Sequence, residues 1–412
     1  MDSLILSLDP EFPGGVVTMQ NAMRQAHVRL GLKPHLAFAR LGSGRWDPSL
    51  RSEERNGEGR LSVGYFPSIE FLNYLWPAIR LRRELHRFKV VQIVSGFHSS
   101  SLVPILGRRP FVSWIATPFL DEIAARMAGQ HPSHSIRINY SLRAVNQALE
   151  RWTFSKAAAV LALSDYTARR LSAEARVPSG GMSVLRCPVD VNVFRPEGPV
   201  WAGRPGRYLL SVGRVDDPRK NMLSLVRVFA RVAAEMPDLH LVILGKPKHA
   251  ENEVTRFVSA QGIAHRVHFP GYRAGAELAS IYRGAEAFVM TSRQEGLGIV
   301  VMEAQSSGIP VLVMRCGGSD ELIEEAGERD GWLVDQGDEV AFGHILAQIL
   351  SDAAMRKRVG ACARRKAERE FSPEVFARRL REVYARAFPS THWSSSSRDS
   401  SRAIPLERRV EA

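Results

Sequence analysis

The chain has 412 residues, 45% hydrophobic and 24% charged, with 56 Lys and Arg against 43 Asp and Glu for a formal charge of +13. This ordinary globular mixture excludes wholesale disorder, a collagen and a coiled-coil rod, and the length suits two domains that each bury a core. No apolar run approaches the ~20 residues that cross a bilayer, and three scattered cysteines without a C-x-x-C spacing exclude a disulfide framework and a cysteine zinc site.

Taken in chain order, short apolar runs at 4–8, 90–94, 111–115, 158–163 and 182–185 predict strands, with helices over 14–31, 134–152 and 166–175 between them. The N-terminus has no basic stretch and only a short apolar run, so the expectation is a cytoplasmic protein without a signal peptide. Its basic surface is suited to anions, including the inner membrane surface. Residues 71–88 mix Leu, Tyr74 and Trp76 with Arg80, Arg82, Arg83 and Arg87, which suits either a core-facing helix or an amphipathic face on a membrane. A Pro/Gly-rich stretch at 195–206 reads as a hinge. Beyond it, strands are predicted at 208–212, 239–244, 267–269, 287–290, 311–313 and 332–334, and helices at 221–235, 277–283, 298–307, 339–350 and 353–370. Strands alternating with helices imply parallel sheets and ligands at the strands' carboxyl ends. The expected division is 1–195, 207–370, a crossover helix over 371–388, and a disordered Ser-rich tail over 389–412.

Two segments carry chemistry. Val212-Gly-Arg-Val-Asp-Asp-Pro-Arg-Lys-Asn221 lies where a strand hands over to a helix: Gly213 permits a tight turn, and Arg214 and Lys220 place two cations by a helix N-terminus, which suits a diphosphate. Solvated cations on a plain strand–helix turn would look the same. Downstream, Glu295-Gly-Leu-Gly-Ile-Val-Val-Met-Glu303 puts two carboxylates on either side of a helix start. Carboxylates repel phosphate, so their place beside an anion site makes sense if they accept hydrogen bonds from hydroxyls: Glu295 from a sugar, Glu303 from a ribose. No Walker-type loop and no D-x-D occur. His131-Pro-Ser-His134 lacks a third ligand nearby, and no metal or cofactor is expected.

The run 213–221, the 295–303 carboxylate pair, Gly308-Ile-Pro and Gly317-Gly-Ser-Asp-Glu321, together with Asp9-Pro-Glu-Phe-Pro-Gly-Gly15 and the closing Val-Asp-Val-Asn-Val-Phe-Arg-Pro196, resemble the retaining glycosyltransferases of family 4 over most of residues 1–385. The resemblance implies an α/β GT-B fold: two Rossmann-like domains facing each other across a cleft, with a C-terminal helix crossing back to the first domain. It implies that Arg214 and Lys220 contact the donor diphosphate, Glu303 the ribose and Glu295 the transferred sugar. Gly213, Gly296, Leu297 and Gly298 would meet phosphate or sugar oxygens, Gly14 and Gly15 would admit the diphosphate from the first domain, and Gly245 and Arg273 would line the base pocket. Many relatives carry a histidine after the fourth strand; this chain reads Trp114-Ile-Ala-Thr117-Pro-Phe-Leu-Asp121 there, so His98, Thr117 and Asp121 are the acceptor-side candidates.

The function implied is transfer of a sugar from a nucleotide-diphosphate sugar to a hydroxyl or amine with retention, on an acceptor glycan, lipid-linked sugar or small molecule. A sugar phosphorylase or pseudo-glycosyl transferase on the same fold is the alternative. A non-enzymatic nucleotide- or nucleic-acid-binding protein is less well supported, since no specific nucleic-acid motif occurs.

Overall fold

Contiguous β-branched runs alternating with helices fold here into two parallel sheets, seen in a computed structural model that describes residues 1–7, 15–40, 50–55, 58–64, 75–95, 98–127, 134–175, 177, 182–245, 247, 250–389 and 391. The chain divides into one unit of Met1–Cys187 with Pro373–Ala412, and a second of Pro188–Ser372. Gly14 with the rest of the first glycine-rich loop, His131, and all but two residues of the expected tail lie outside the described residues.

In the first unit, β1 (Asp2–Ser7), β2 (Lys33–Arg40), β3 (Leu50–Arg55), β4 (Glu58–Gly64), β5 (Val90–Ser95), β6 (Val112–Ile115), β7 (Ala159–Ala162) and β8 (Met182–Val184) stand in the order β3-β4-β2-β1-β5-β6-β7-β8. Every pairing is parallel except β3 with β4, an antiparallel edge that pairs Glu53 with Arg60. Its outer strand, Leu-Arg-Ser-Glu-Glu-Arg, carries the charges that discourage pairing with another chain. The region predicted as one helix over 134–152 is two, His134–Ser141 and Arg143–Ser155, because Leu142 leaves helical geometry at ψ 17°.

The helix Pro373–Ala387 belongs to the first unit and packs along the helix Gly15–Arg29. A buried polar chain fixes it there: the Tyr384 hydroxyl donates to Gln92 Oε1 (2.7 Å) and lies 2.7 Å from His27 Nε2, while His27 Nδ1 lies 2.8 Å from Ser3 Oγ. Burial pushes His27 down to about 3, so the ring is neutral. With the Tyr384 proton on Gln92, the consistent tautomer donates from Nε2 and accepts from Ser3 at Nδ1. Tyr384→Phe strands the His27 donor and the Gln92 acceptor. It should therefore cost about 1–3 kcal/mol, read as a lower urea midpoint with unchanged slope.

In the second unit, β9 (Arg207–Val212), β10 (Leu239–Leu244), β11 (Val267–His268), β12 (Ala287–Met290), β13 (Val311–Met314) and β14 (Trp332–Val334) form a wholly parallel sheet in the order β11-β10-β9-β12-β13-β14. The chain winds outward from β9 through β10 to β11, then returns to start again at β12. That reversal makes β9/β12 the topological switch point, and the loops leaving these two strands open beside each other. The helix Glu253–Ala260 is an addition to the sequence reading, announced by Asn252 and Thr255 as a reciprocal cap.

The stretch expected to act as a hinge is fastened to the second unit instead. Arg283 donates to the Arg195 and Pro199 carbonyls, Arg364 to those of Val191 and Phe194, and Trp201 N to Ser280 O. Prolines here have no N–H with which to continue a ladder, and the carbonyls of this non-strand stretch are satisfied by arginine side chains.

Candidate functional site

The best-built constellation lies at the β9/β12 switch point of the second unit. β9 ends at Val212, and Gly213 N turns across to donate to Leu244 O at the end of β10 (3.0 Å). The two strands close so tightly that a Cβ on Gly245 would sit 1.9 Å from Gly213 O, so Gly245 is required by backbone packing. The following loop is organised by Asp217, whose carboxylate accepts from Arg219 N and Nε (both 3.1 Å) and from Arg214 (2.6 Å). Burial alone would raise the Asp217 carboxyl, but the hydrogen bonds and charge of Arg219, with the charge of Arg214, outweigh it and hold the group well below the usual carboxylate range. A short turn over Pro218–Lys220 and a left-handed Asn221 (φ 50°) then lead into the helix Met222–Glu235.

The loop after β12 laces onto this one: Thr291 Oγ1 donates to Asn221 O (3.0 Å) and Arg293 N to Arg219 O (2.7 Å). Lys220 Nζ meets Glu295 Oε1 at 2.6 Å, and Ser292 Oγ donates to the same oxygen at 2.8 Å. The side chains of Lys220 and Glu295 are 19% and 13% exposed. Gly298, at φ 84°, opens the helix Ile299–Ser306 with no side-chain cap, and a Cβ there would strike Ser319 Oγ at 2.2 Å. Asp320 in turn accepts from the N–H groups of Cys316 and Gly317, and the segment it shapes pairs with Glu295 through Glu295 N to Cys316 O and Gly318 N to Glu295 O, both 2.9 Å. An uncapped helix start beside a lysine favours an anion, and the carboxylate on that lysine can accept from a hydroxyl.

Glu303 lies further along the same helix, half-buried, with its Oε2 2.8 Å from the hydroxyl of fully buried Tyr282. Burial pushes the Glu303 carboxyl up to about 7, against the lowering effect of that hydrogen bond.

The structure thus brings Gly213, Lys220, Gly245, Glu295, Gly296, Leu297 and Gly298 to the carboxyl ends of neighbouring strands of one sheet, with Glu303 more than a turn into the helix that follows. Arg214 stands at its outer side, 69% exposed and tied to Asp217. Arg273 is engaged by Glu277 at 2.7 Å, at the start of the helix Gly275–Gly284. Asp217, Arg219, Ser292 and Tyr282 were not anticipated. The Asp-Pro-Arg-Lys run was the available signal for the first two, whereas Tyr282 looks in sequence like any core tyrosine.

The first-unit candidates are placed differently from the sequence reading. Gly15 opens its helix exposed, and a Cβ there would meet nothing within 4 Å of this unit. His98, expected to reach a ligand, is enclosed: its ring meets Phe119 edge-on at 5.5 Å, neither nitrogen has a partner among the described residues, and burial lowers it to about 3. Asp121 has both carboxylate oxygens engaged by Arg170, so it is committed to a structural ion pair. Thr117, in the loop after β6, is half-buried. The next helix, Phe119–Met127, starts on Glu150, whose Oε1 accepts from Phe119 N at 3.2 Å.

Two family profiles match the chain: "Glycosyltransferase Family 4" over residues 13–193 and "Glycosyl transferases group 1" over 206–352. Among curated proteins, it is 34% identical to a D-inositol 3-phosphate glycosyltransferase of Corynebacterium diphtheriae, over 40% of this chain and 39% of that one. It is 31% identical to a GDP-mannose-dependent monoacylated alpha-(1-6)-phosphatidylinositol monomannoside mannosyltransferase of Corynebacterium glutamicum, over 40% of this chain and 44% of that one. The matched stretch therefore spans about two fifths of the length of these relatives. Among solved structures, sucrose-phosphate synthase of Thermosynechococcus elongatus superimposes with a TM-score of 0.74 at 18% identity, covering 94% of this chain and all of that one. HepE of Anabaena, in complex with UDP, superimposes with a TM-score of 0.71 at 17% identity, covering 93% and 100%. The fold is the GT-B type of these neighbours.

Proposed function

The chain belongs to family 4 of the glycosyltransferases, and from that premise we propose that it moves a sugar from a nucleotide-diphosphate donor to an acceptor hydroxyl with retention at the anomeric carbon. The observation that carries the reading is the meeting of Lys220 and Glu295, 2.6 Å apart, beside the uncapped start of the helix Ile299–Ser306. As the sugar–phosphate bond breaks, negative charge grows on the diphosphate. Lys220, Arg214 and the helix start stabilise that charge, with no metal ion in the scheme. Glu295 then accepts from a hydroxyl of the transferred sugar and Glu303 from the ribose. No carboxylate is assigned as a nucleophile: the acceptor attacks from the side the diphosphate leaves, and its proton passes to the departing phosphate oxygen.

The experiment that tests this is thermal unfolding with UDP, GDP, ADP and dTDP, with and without magnesium. One nucleotide should raise the melting temperature in the absence of metal, since a ligand of the native state stabilises it by mass action. No shift with any of the four would sink the reading.

The curated relatives named above act on inositol-containing acceptors, and we extend that to a lipid-borne acceptor at the cytoplasmic face of an anionic membrane. Among the described residues no helix is long and apolar enough to cross one. Support comes from the helix Leu75–Leu81 and its neighbour Leu102–Leu106, where Leu75, Ile79 and Leu106 are 43%, 40% and 42% exposed. Arg80, which covers the Trp76 ring at 4.8 Å, and the exposed Arg82, Arg83 and Arg87, the last paired with Glu84, lie in or just after the first of these helices. Apolar side chains rimmed by arginine bind anionic headgroups in a salt-dependent way, at about 1 kcal/mol per charge. Sedimentation with phosphatidylglycerol vesicles, and not with phosphatidylcholine, is the expected result; Arg82→Glu/Arg83→Glu should release the protein. Equal binding to both vesicle types would overturn the assignment.

A further inference from the structure

We propose that Tyr282 is the positioning residue for Glu303: its one hydroxyl proton serves either Glu303 Oε2 or the Val300 carbonyl, so the carboxyl keeps one place in both protonation states. This deepens the ribose assignment above and rests on it for its functional meaning, though not for its geometry.

The Tyr282 hydroxyl stands 2.8 Å from Glu303 Oε2 and 3.2 Å from Val300 O. A phenol has a single proton to give and lone pairs to accept. When Glu303 is ionised, that proton must go to the carboxylate, and Val300 O keeps only its place in the helix. When Glu303 is protonated, its Oε2–H donates to the tyrosine oxygen, and the tyrosine proton turns to Val300 O. Both short contacts are then filled. The ring cannot move to follow the proton: it is fully buried in the helix Gly275–Gly284, with Phe194 edge-on at 5.7 Å and Phe288 tilted against it at 5.9 Å. Burial also raises the phenol well above its ordinary value, with the Glu303 charge adding to the effect, so Tyr282 remains a donor throughout. What changes with pH is the direction of the hydrogen bonds.

The consequence for binding is a coupled proton. Burial places the Glu303 carboxyl at about 7, so near neutrality the free protein is a mixture of acid and carboxylate. A ribose hydroxyl that donates to Glu303 selects the carboxylate, and nucleotide binding should release a fraction of a proton. Tyr282 sets how large that fraction is. Its hydrogen bond favours the ionised form, so without it the midpoint moves up.

The test uses the whole protein and two readouts. In carboxyl-13C-glutamate protein, the resonance absent from Glu303→Gln identifies Glu303. Its midpoint should lie near 7 in the wild type and about one pH unit higher in Tyr282→Phe. In calorimetry with UDP, GDP, ADP and dTDP, wild-type affinity for the nucleotide that binds should fall about tenfold per pH unit below the midpoint. Tyr282→Phe should bind about five- to tenfold more weakly at pH 7 and equally at pH 9. The wild type should release a proton fraction between pH 6 and 8, measured in buffers of different ionisation enthalpy, which stands even if the variant folds poorly.

An unmoved carboxyl midpoint in Tyr282→Phe, weakening by one constant factor at every pH, or no proton release by the wild type would overturn the proposal. If none of UDP, GDP, ADP and dTDP binds, or Glu303→Gln binds as the wild type does, the ribose reading fails instead. The carboxyl titration still judges Tyr282 in that case.

Discussion

Lys220→Ala should lower turnover by about 10² to 10³, the usual effect of removing one preorganised donor from a developing charge. The measurement is the initial rate with the sugar nucleotide whose base the thermal screen identifies. Stability complicates the single variant, because Lys220 and Glu295 are mostly buried and paired. Removing the lysine leaves the carboxylate with Ser292, at a cost of about 1–3 kcal/mol. The double variant Lys220→Ala/Glu295→Ala removes both charges together, so it should recover much of the melting temperature and none of the turnover. A Lys220→Ala protein within tenfold of wild-type turnover would mean that the diphosphate is held elsewhere. Arg214→Ala is the contrasting case for stability: the side chain is largely exposed and Asp217 retains Arg219, so the melting temperature should hardly change.

Glu303→Gln should weaken nucleotide affinity at pH 8 by about 10- to 100-fold, corresponding to the roughly 1.5–3 kcal/mol of a charged hydrogen bond. Stability should move the other way. The folded-state value of about 7 lies above the ordinary 4.5, so Glu303 favours folding most below about pH 4.5, and that contribution is lost as pH rises through 7. Glu150, also pushed up to about 7 by burial, has the same sign. A neutral glutamine avoids the cost of ionising Glu303, so the free variant should melt at least as high as the wild type at pH 8 while binding more weakly. A variant losing both stability and affinity at every pH would mark Glu303 as a packing residue.

The second unit was readable because its strands are buried on both faces. Runs such as Leu-His-Leu-Val-Ile-Leu in β10 admit one reading, and two of the site glycines have a backbone reason to be glycine: close backbone approach at 245 and a left-handed φ at 298. The first unit hid more. β2 opens Lys-Pro-His, and β3 holds one apolar residue among charges, so neither shows an apolar period. In the site, residue types and loop positions were legible, but pairings were not. Lys220 and Glu295 read as separate tools for phosphate and sugar because 75 positions divide them; only the strand order puts them in contact. Arg214 likewise read as an unpaired cation, although Asp217, three residues on, is its partner. His98 failed for the opposite reason: a polar residue just after a strand suggests an open loop, and the Phe119 ring that covers it comes from a different segment.

The helix Pro373–Ala387 completes a sheet domain whose strands all precede Pro188. On the ribosome, the first unit must therefore wait, with the faces of His27, Gln92 and Trp114 uncovered, until the whole second unit and Tyr384 and Phe376 have been made. The second unit is one continuous piece of chain and faces no such delay. The usual order of synthesis, in which the earlier domain finishes first, is reversed, and a chain ending before Pro373 would carry a finished second unit attached to an unsealed first one.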